Sequence, residues 1–176
     1  MHTTRRLVRR SLVLLMVGLV PAVASADEMS FLVVHQLTKF DQKPVGDVEG
    51  HVTQTFTRRG LAFFKGGPAD GEVAVYVNVG TTDTTKEQRK ATAEATFTFD
   101  DGSTFKTKNV TAGPPSTTLK KVSTVTAEVF GGTGRFAGIT GTASGTGRTM
   151  TLNNDETRAD SYYNVDVQYT LPKPRM

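Results

Sequence analysis

Residues 129–147 read VFGGTGRFAGITGTASGTG and contain seven glycines. Eight of the remaining residues are β-branched or aromatic, the types that fit a pleated sheet. Glycines between such residues mark places where the backbone turns, bulges or passes close to another strand. The stretch therefore predicts a strand, a tight turn and a second strand, in a sheet that bends sharply. We assign a structural role to five of the glycines: Gly131, Gly132, Gly134, Gly138 and Gly141.

Alternating patterns on both sides of this stretch predict further short strands. The clearest alternation runs over 163–171, and a second places four valines on one apolar face: Val73, Val75, Val77 and Val79. A third pattern, over 93–99, leads into Asp-Asp-Gly-Ser at 100–103, which predicts a hairpin turn. No stretch predicts a helix of packing length. We therefore predict an all-β protein with a single antiparallel, calycin-like barrel of about eight strands.

Two segments near the start of this domain carry weaker signals. Residues 27–30 are expected to form a loose end, and the first strand is expected at 31–37. Pro44 and Gly46 then predict a loop over 40–46.

The first 26 residues have the pattern of a secretory signal peptide. Arginines at positions 5, 6, 9 and 10 precede an apolar run at 11–20, and Ala24-Ser25-Ala26 supplies small residues for cleavage. The run is short for a membrane anchor and is followed by Pro21, so stable membrane insertion after cleavage is not expected. We predict cleavage near Ala26/Asp27, a periplasmic or extracellular protein, and one barrel domain over 27–176.

Removal of the leader changes the charge of the chain. The full sequence has 21 basic and 17 acidic side chains, and loss of the four leader arginines leaves 17 of each. A neutral domain lacks the basic surface that binds nucleic acid, so no nucleic-acid partner is expected. The chain has no cysteine, which excludes thiolate metal sites and cysteine nucleophiles.

Few motifs point to a cofactor or a metal. Gly132, Gly134 and Ala137 match the spacing of a dinucleotide-binding fingerprint, but the residues that follow cannot form the helix that this motif requires. His35 and His51, together with a carboxylate such as Glu49, could bind a metal or form an acid–base pair. Their spacing is not that of metal ligands, and histidines with structural hydrogen bonds are commoner. We predict neither a metal nor a cofactor.

Glu128 and Asp166 each lie in the middle of a predicted strand. On the outer face of a barrel they would be ordinary solvated carboxylates. Inside a barrel, burial would raise the pKa of each and make it a candidate catalytic acid. The alternation places both on the polar side of their strands, which favours the outer position.

Aromatic side chains are the candidates for a ligand cavity. An eight-stranded barrel has an interior that is either filled by side chains or holds one small ligand. The residues expected to line such a cavity are Tyr76, Phe97, Phe99, Tyr163 and Tyr169.

Residues 130–141, FGGTGRFAGITG, resemble the G-G-T-G-[RK]-F-x-x-x-x-G signature of the dirigent and allene oxide cyclase superfamily. The hairpin at 97–103 is similar to that of its bacterial secreted members. The resemblance implies an eight-stranded antiparallel barrel, and the plant members are commonly trimers. Allene oxide cyclases close a ring in an epoxide-derived fatty acid, and dirigent proteins direct phenoxy-radical coupling. Their catalytic residues lie outside the glycine motif, so none is assigned to this chain.

Three hypotheses follow. The first is an exported barrel that binds, or binds and isomerises, a small hydrophobic molecule without a cofactor, as a monomer or as a homodimer or homotrimer. The second is a filled structural or interaction barrel of the cell envelope. The third is an outer-membrane barrel, which the polar segment 80–90 fits poorly. A cavity of a few hundred cubic ångströms, the size of ligand pockets (~300 Å³ and above), would distinguish the first from the second.

Overall fold

The structure is a computed structural model that describes residues 26–113, 122–152 and 155–172. The predicted leader lies outside these residues, apart from Ala26. None of the helical turns in the described part of the chain has the length and apolar character of a membrane-spanning helix.

Eight antiparallel strands form a closed barrel in which each strand pairs with its neighbours in sequence and the last pairs with the first. This confirms the predicted all-β, eight-stranded antiparallel barrel. The strands are β1 (Asp27–Pro44), β2 (Val52–Lys65), β3 (Val73–Thr84), β4 (Arg89–Thr98), β5 (Thr104–Gly113), β6 (Ser123–Thr133), β7 (Thr140–Leu152) and β8 (Asp155–Thr170).

Strand β1 is longer than predicted, and both expectations at its ends were wrong. It begins at Asp27, which pairs with Tyr169 of β8, and it continues to Pro44, which pairs with Val52 of β2. A bulge between Leu37 and Lys39 adjusts the register on the way. Pro44 fits because it is the last residue of the strand, where a missing N–H interrupts little of the ladder. Pairing with two neighbours therefore outweighs the local loop signals.

The predicted alternation on β4 and β8 is confirmed. Val165, Val167 and Tyr169 are buried, as are the inward positions of the pattern at 93–99, and the polar residues between them are exposed or half-buried. The predicted turn at 100–103 joins β4 to β5, with the Phe99 N–H donating to the Ser103 carbonyl at 3.0 Å.

On β3 the predicted alternation is present, but its valine face does not line the barrel interior. Val73 and Val79 are 41% and 55% exposed, whereas Ala74, Tyr76 and Asn78 face the barrel interior. A period of two separates the residues of a strand into two faces without specifying which face is inside. Closure of the barrel turns the valine face outward.

The interior is filled at one end, which we call the packed end. This is the end where β4 turns into β5 and β6 turns into β7. Phe97 and Phe105 stack with their ring centroids 4.3 Å apart, and Phe99 stacks on Phe136 at 4.9 Å. The other large buried side chains of this cluster include Phe31, Phe64, Ile139, Val129, Val167 and Tyr169. Aromatic burial at this density makes the packed end the main source of stability.

The glycine-rich run closes the packed end. Gly134 and Gly138 have φ values of +59° and +77°, which let a short 3-10 turn at Gly134–Phe136 insert the Phe136 ring into the barrel. A side chain at Gly132 or Gly141 would collide with neighbouring backbone, while Gly131 has open space around it. The five glycines thus lie in the predicted strand–turn–strand, although nothing in the packing around Gly131 requires a glycine.

Arg135, inside the same run, covers the packed end from outside. Its guanidinium lies over the Phe99 ring at 4.7 Å and pairs with Glu72 and with Asp101. The Asp101 carboxylate accepts hydrogen bonds from the backbone and hydroxyl of Ser103. These bonds, with Arg135 nearby, hold the pKa of Asp101 below its ordinary value. Arg135 therefore connects three loops at the packed end, those between β2 and β3, between β4 and β5, and between β6 and β7.

A contiguous set of apolar side chains lies on the outside of β1, β2 and β3. Leu32 is paired with Phe63 across β1 and β2, and Leu61 is paired with Val75 across β2 and β3. The members, which we call the outer apolar face, are Leu32, Val34, Leu61, Phe63, Val73, Val75, Val77 and Val79. Six of them are between 37% and 55% exposed.

Candidate functional site

A cavity of about 90 Å³ lies inside the other half of the barrel and is partly open to solvent. Its lining includes the first residue of β4, Arg89, and the last residue of β5, Gly113, so it opens at the end opposite the packed end. Phe31 and Phe97 line it on the side of the aromatic cluster. The volume is below the ~300 Å³ at which pockets for drug-sized ligands begin. The cavity therefore suits one ring or a short chain, with any further part of a ligand in the open mouth.

Several polar groups in or beside the cavity come from inward positions of four adjacent strands. On β2, Arg58 lies on the same inward face as the buried Phe56, and on β3, Asn78 lies on the same face as the buried Tyr76. On β1, His35 follows the inward Val33, and its partner on β8, Ser161, hydrogen-bonds Arg58 without itself lining the cavity. Further polar lining comes from β5, namely Thr107, Asn109 and Thr111. Side chains that are far apart in sequence thus converge because β8, β1, β2 and β3 are neighbours in the barrel.

The His35 imidazole lies between two tyrosine rings. It stacks on Tyr76 with a centroid distance of 5.3 Å and on Tyr163 with a distance of 5.9 Å. His35 and Tyr76 belong to β1 and β3, which lie roughly 10 Å apart because β2 runs between them. Gly60 of β2 is paired with both residues, and its lack of a side chain lets the two rings meet.

His35 is neutral at physiological pH. Burial, and secondarily the positive charge of Arg58, lowers the pKa of His35 to about 3. Its Nδ1 atom is buried and has no hydrogen-bond partner among the described residues, and the same holds for the Thr82 hydroxyl. Buried polar atoms are nearly always hydrogen-bonded, so these two atoms mark positions where a ligand or a water molecule is expected to bind.

Arg58 places a positive charge inside the barrel. Its side chain is only 7% exposed, its Nη1 donates to the Ser161 hydroxyl at 2.8 Å, and its guanidinium lies 5.3 Å from the centroid of the Phe56 ring. The Ser161 hydroxyl is in turn 2.9 Å from that of Thr149. Burial, and then the charge of Arg89, lowers the pKa of Arg58.

Three of the five predicted cavity residues line the cavity, namely Tyr76, Phe97 and Tyr163. Phe99 and Tyr169 do not line it. Phe99 belongs to the stacked rings of the packed end, and the Tyr169 hydroxyl lies beside Gly67 in the loop that follows β2. Both are buried, as expected of aromatic side chains, but on the filled side of the barrel.

Glu128 and Asp166 both point outward and are exposed. They border one shallow groove on the outer surface, together with Lys108 of β5 and Thr142 of β7. The desolvation that would make either one a catalytic acid is absent at these positions. The sequence left an inner and an outer placement open, and in the structure both residues have the outer one.

His51 lies far from His35. His35 is paired with Gly60 of β2, and Gly60 lies nine positions after His51 along extended backbone. At a rise of ~3.3 Å per residue, His51 is roughly 30 Å from Gly60 and so from its partner His35. The His51 ring contacts Asp47 at 2.6 Å and Asp83 at 3.2 Å, and both contacts raise the pKa of His51. Glu49 pairs with Lys86 instead. The two histidines therefore form no joint site, and among the described side chains no group of three or more His, Asp or Glu residues could hold a metal ion.

Sequence reasoning missed Arg58 and Thr82 as cavity residues, and Ser161 as the hydrogen-bond partner of Arg58. The signal for Arg58 was present, because Gln54, Phe56 and Arg58 share one alternation phase and an inward Phe56 implies an inward Arg58. The signals for Thr82 and Ser161 are weaker, since hydroxyl residues are frequent on both faces of these strands.

Among solved structures, the chain is similar to those of two pterocarpan synthase dirigent proteins. The similarity to GePTS1 has 13% identity and a TM-score of 0.48 and covers 95% of this chain and 99% of that chain. The similarity to PsPTS1 has 16% identity and a TM-score of 0.46 and covers 85% and 98%. No protein-family model and no curated protein sequence matches the chain. The closed eight-stranded barrel of this chain is the fold that the resemblance of residues 130–141 implied.

Proposed function

We propose that this protein is an exported barrel that binds a small, largely apolar molecule in the cavity at its open end. The observation that carries the proposal is the division of the barrel interior. One half is filled by stacked aromatic rings, while the other half retains a cavity with buried polar atoms that lack partners. A barrel with a purely structural role has no need of unpartnered polar atoms in its interior, since each one lowers stability.

Export is the second part of the proposal. It is supported by the signal-peptide pattern of residues 1–26 and by the position of β1, which begins at Asp27, directly after the predicted cleavage site. The intact mass of the protein recovered from the exported pool tests this part. Loss of residues 1–26 is expected, and a mass that includes the leader would contradict it.

Binding is tested by NMR titration of the mature protein with benzyl alcohol and with benzoate, two one-ring compounds of different charge. We expect saturable chemical-shift changes at cavity residues. The variant Ala93→Phe should abolish them, because Ala93 faces the cavity and a phenyl ring there would fill most of its volume. Mass spectrometry of organic extracts of the exported protein then identifies the natural ligand.

The matched control is Ala112→Phe, which adds the same ring to an exposed position of β5. It should bind as the wild-type protein does. The proposal would be contradicted if the wild-type protein bound neither compound saturably, or if Ala93→Phe bound them as well as the wild-type protein does. Either result would favour the filled structural barrel.

We also propose that a second copy of the chain covers the outer apolar face. The face spans three strands and is apolar around Leu61 and Phe63, while the exposed Arg59, paired with Val77, interrupts it further along β2. Apolar patches of this kind on soluble proteins usually mark contact surfaces. A closed barrel has no free strand edge, so the contact is made by side chains rather than by strand addition. The superfamily that residues 130–141 resemble includes trimers, which agrees with contact between identical copies.

Light scattering coupled to size-exclusion chromatography tests self-association. The wild-type protein is expected to have the mass of a dimer or a trimer, and Phe63→Lys should reduce it to the mass of the monomer by placing a charge in the contact. Val110→Lys is the control, because Val110 is 37% exposed on β5, away from the outer apolar face. A monomeric wild-type protein, or a Phe63→Lys variant with the wild-type mass, would refute self-association through this face.

A further inference from the structure

The cavity contains a buried positive charge for which the described residues supply no carboxylate. Arg58 is 7% exposed, and the buried polar side chains of the described chain are neutral apart from Arg58 itself: His35, Gln54, Asn78, Thr82, Ser103, Thr107 and Ser161. The ion pairs of Lys43, His51, Lys86 and Arg135 lie at the surface or in the loops, and none of them includes Arg58. A guanidinium has five N–H donors. The contact from Arg58 to the Ser161 hydroxyl uses only one of them.

A second positive charge lines the same space. Arg89, at the start of β4, is part of the cavity lining at the open end and acts electrostatically on Arg58. A buried charge is costly unless it is compensated, and the charge of Arg89 adds to that cost at Arg58. An anion in the cavity would compensate the charge of Arg58.

The remaining lining defines what carries the anionic group. Tyr76, Phe97 and Val33 offer apolar surface in the same cavity as Arg58, and the cavity volume of about 90 Å³ admits about one ring. A planar carboxylate matches the fork of an arginine side chain and can accept two parallel hydrogen bonds from it. The unpartnered Nδ1 of His35 and hydroxyl of Thr82 remain available for a polar substituent of the ring.

We propose that the ligand of this barrel is a compact organic carboxylate, its anionic group bound by Arg58 with support from Arg89 and its ring packed against Tyr76 and Phe97. The inference rests on the proposed function and specifies the ligand class of the same cavity. It distinguishes this site from a purely apolar cavity, for which ligand charge would be unfavourable.

The test compares the affinities of benzoate and benzamide, which have nearly the same shape and differ in charge, at pH 7 and constant salt. A charge-assisted hydrogen bond predicts that benzoate binds about tenfold or more tightly than benzamide. Arg58→Met should remove this preference, because the methionine fills similar space without charge. Arg58→Lys should retain only part of the preference for benzoate, because lysine keeps the positive charge but cannot form the two parallel hydrogen bonds of a guanidinium.

Arg59→Met is the matched control, since Arg59 is the next residue on β2 and points outward. It should keep the wild-type preference for benzoate. If Arg58→Met does not fold, Arg58→Lys and the wild-type ratio of the two affinities still decide the question. Equal affinities of the wild-type protein for the two compounds would overturn the carboxylate inference and leave the binding function intact. Absence of binding by both would overturn the proposed function itself.

Discussion

Replacing Phe97 by alanine is expected to lower the free energy of unfolding by about 3–5 kcal/mol, the range for truncation of a fully buried aromatic side chain. Phe97 is 1% exposed and contacts four other rings, with centroid distances of 4.3 Å to Phe105, 5.0 Å to Phe31, 5.2 Å to Tyr76 and 5.8 Å to Phe64. It lies where the packed end meets the cavity, so neighbouring rings cannot easily close over the space that it leaves. Urea unfolding followed by circular dichroism at one protein concentration measures the change.

Val110→Ala is the control for this prediction, because Val110 also lies within a strand, β5, but is 37% exposed and lies away from the outer apolar face. Its effect should stay within roughly 0.5 kcal/mol, as for most surface substitutions. A loss of stability in Phe97→Ala no larger than in Val110→Ala would show that the aromatic cluster is not the main source of stability.

The barrel is also expected to lose stability in mild acid because of His35. In the unfolded chain this imidazole takes up a proton below its ordinary pKa of 6.5, whereas in the folded protein its pKa is about 3 and it stays neutral. Between these values the unfolded state binds more protons, so the free energy of unfolding falls as the pH falls. The contribution approaches about 1.4 kcal/mol for each pH unit, or about 2–3 kcal/mol from pH 6.5 to pH 4.5.

His35→Phe isolates this effect, because phenylalanine keeps a ring between Tyr76 and Tyr163 and does not titrate. Subtracting its stability profile from that of the wild-type protein removes the contributions of carboxylates and of His51. Below pH 6.5 the difference in free energy of unfolding should fall with falling pH, with a slope that approaches about 1.4 kcal/mol for each pH unit. Above pH 7.5 the difference should not change with pH. Parallel profiles throughout the acid range would mean that His35 is accessible to protons in the folded state.

The two halves of the barrel have different roles. The packed end combines stacked rings, the inserted Phe136 ring and the ion pairs of Arg135, all of which favour the folded state. The open end holds a neutral buried histidine, a buried guanidinium and unpartnered hydroxyl and imidazole atoms, all of which oppose it. Stability in one half therefore offsets unfavourable buried polar groups in the other half, which is the pattern expected if that half is the binding site proposed above.

Much of the fold could be predicted from the sequence. The alternation on β4 and β8, the turn at 100–103 and the glycine-rich run depend on local chemistry, namely the period of a strand and the backbone freedom of glycine. The extent of β1 could not be predicted, because Asp27 pairs with the distant strand β8 and Pro44 pairs with Val52 across the β1–β2 hairpin. Local signals at 40–46 indicated a loop, and pairing with β2 extended the strand to Pro44.

The candidate site was predicted only in part. Tyr76, Phe97 and Tyr163 line the cavity as predicted, but Phe99 and Tyr169, which have the same chemistry, pack at the other end. The strand class, the two faces of each strand and the closing turn follow from the sequence alone, because these depend on neighbours within a few residues. Which face is inside, which half is filled and the contact of Arg58 with Ser161 across 103 positions of sequence follow only from the closed barrel. The physical reason is that alternation is symmetric between the two faces of a strand, and this symmetry is broken only when all eight strands close around one interior.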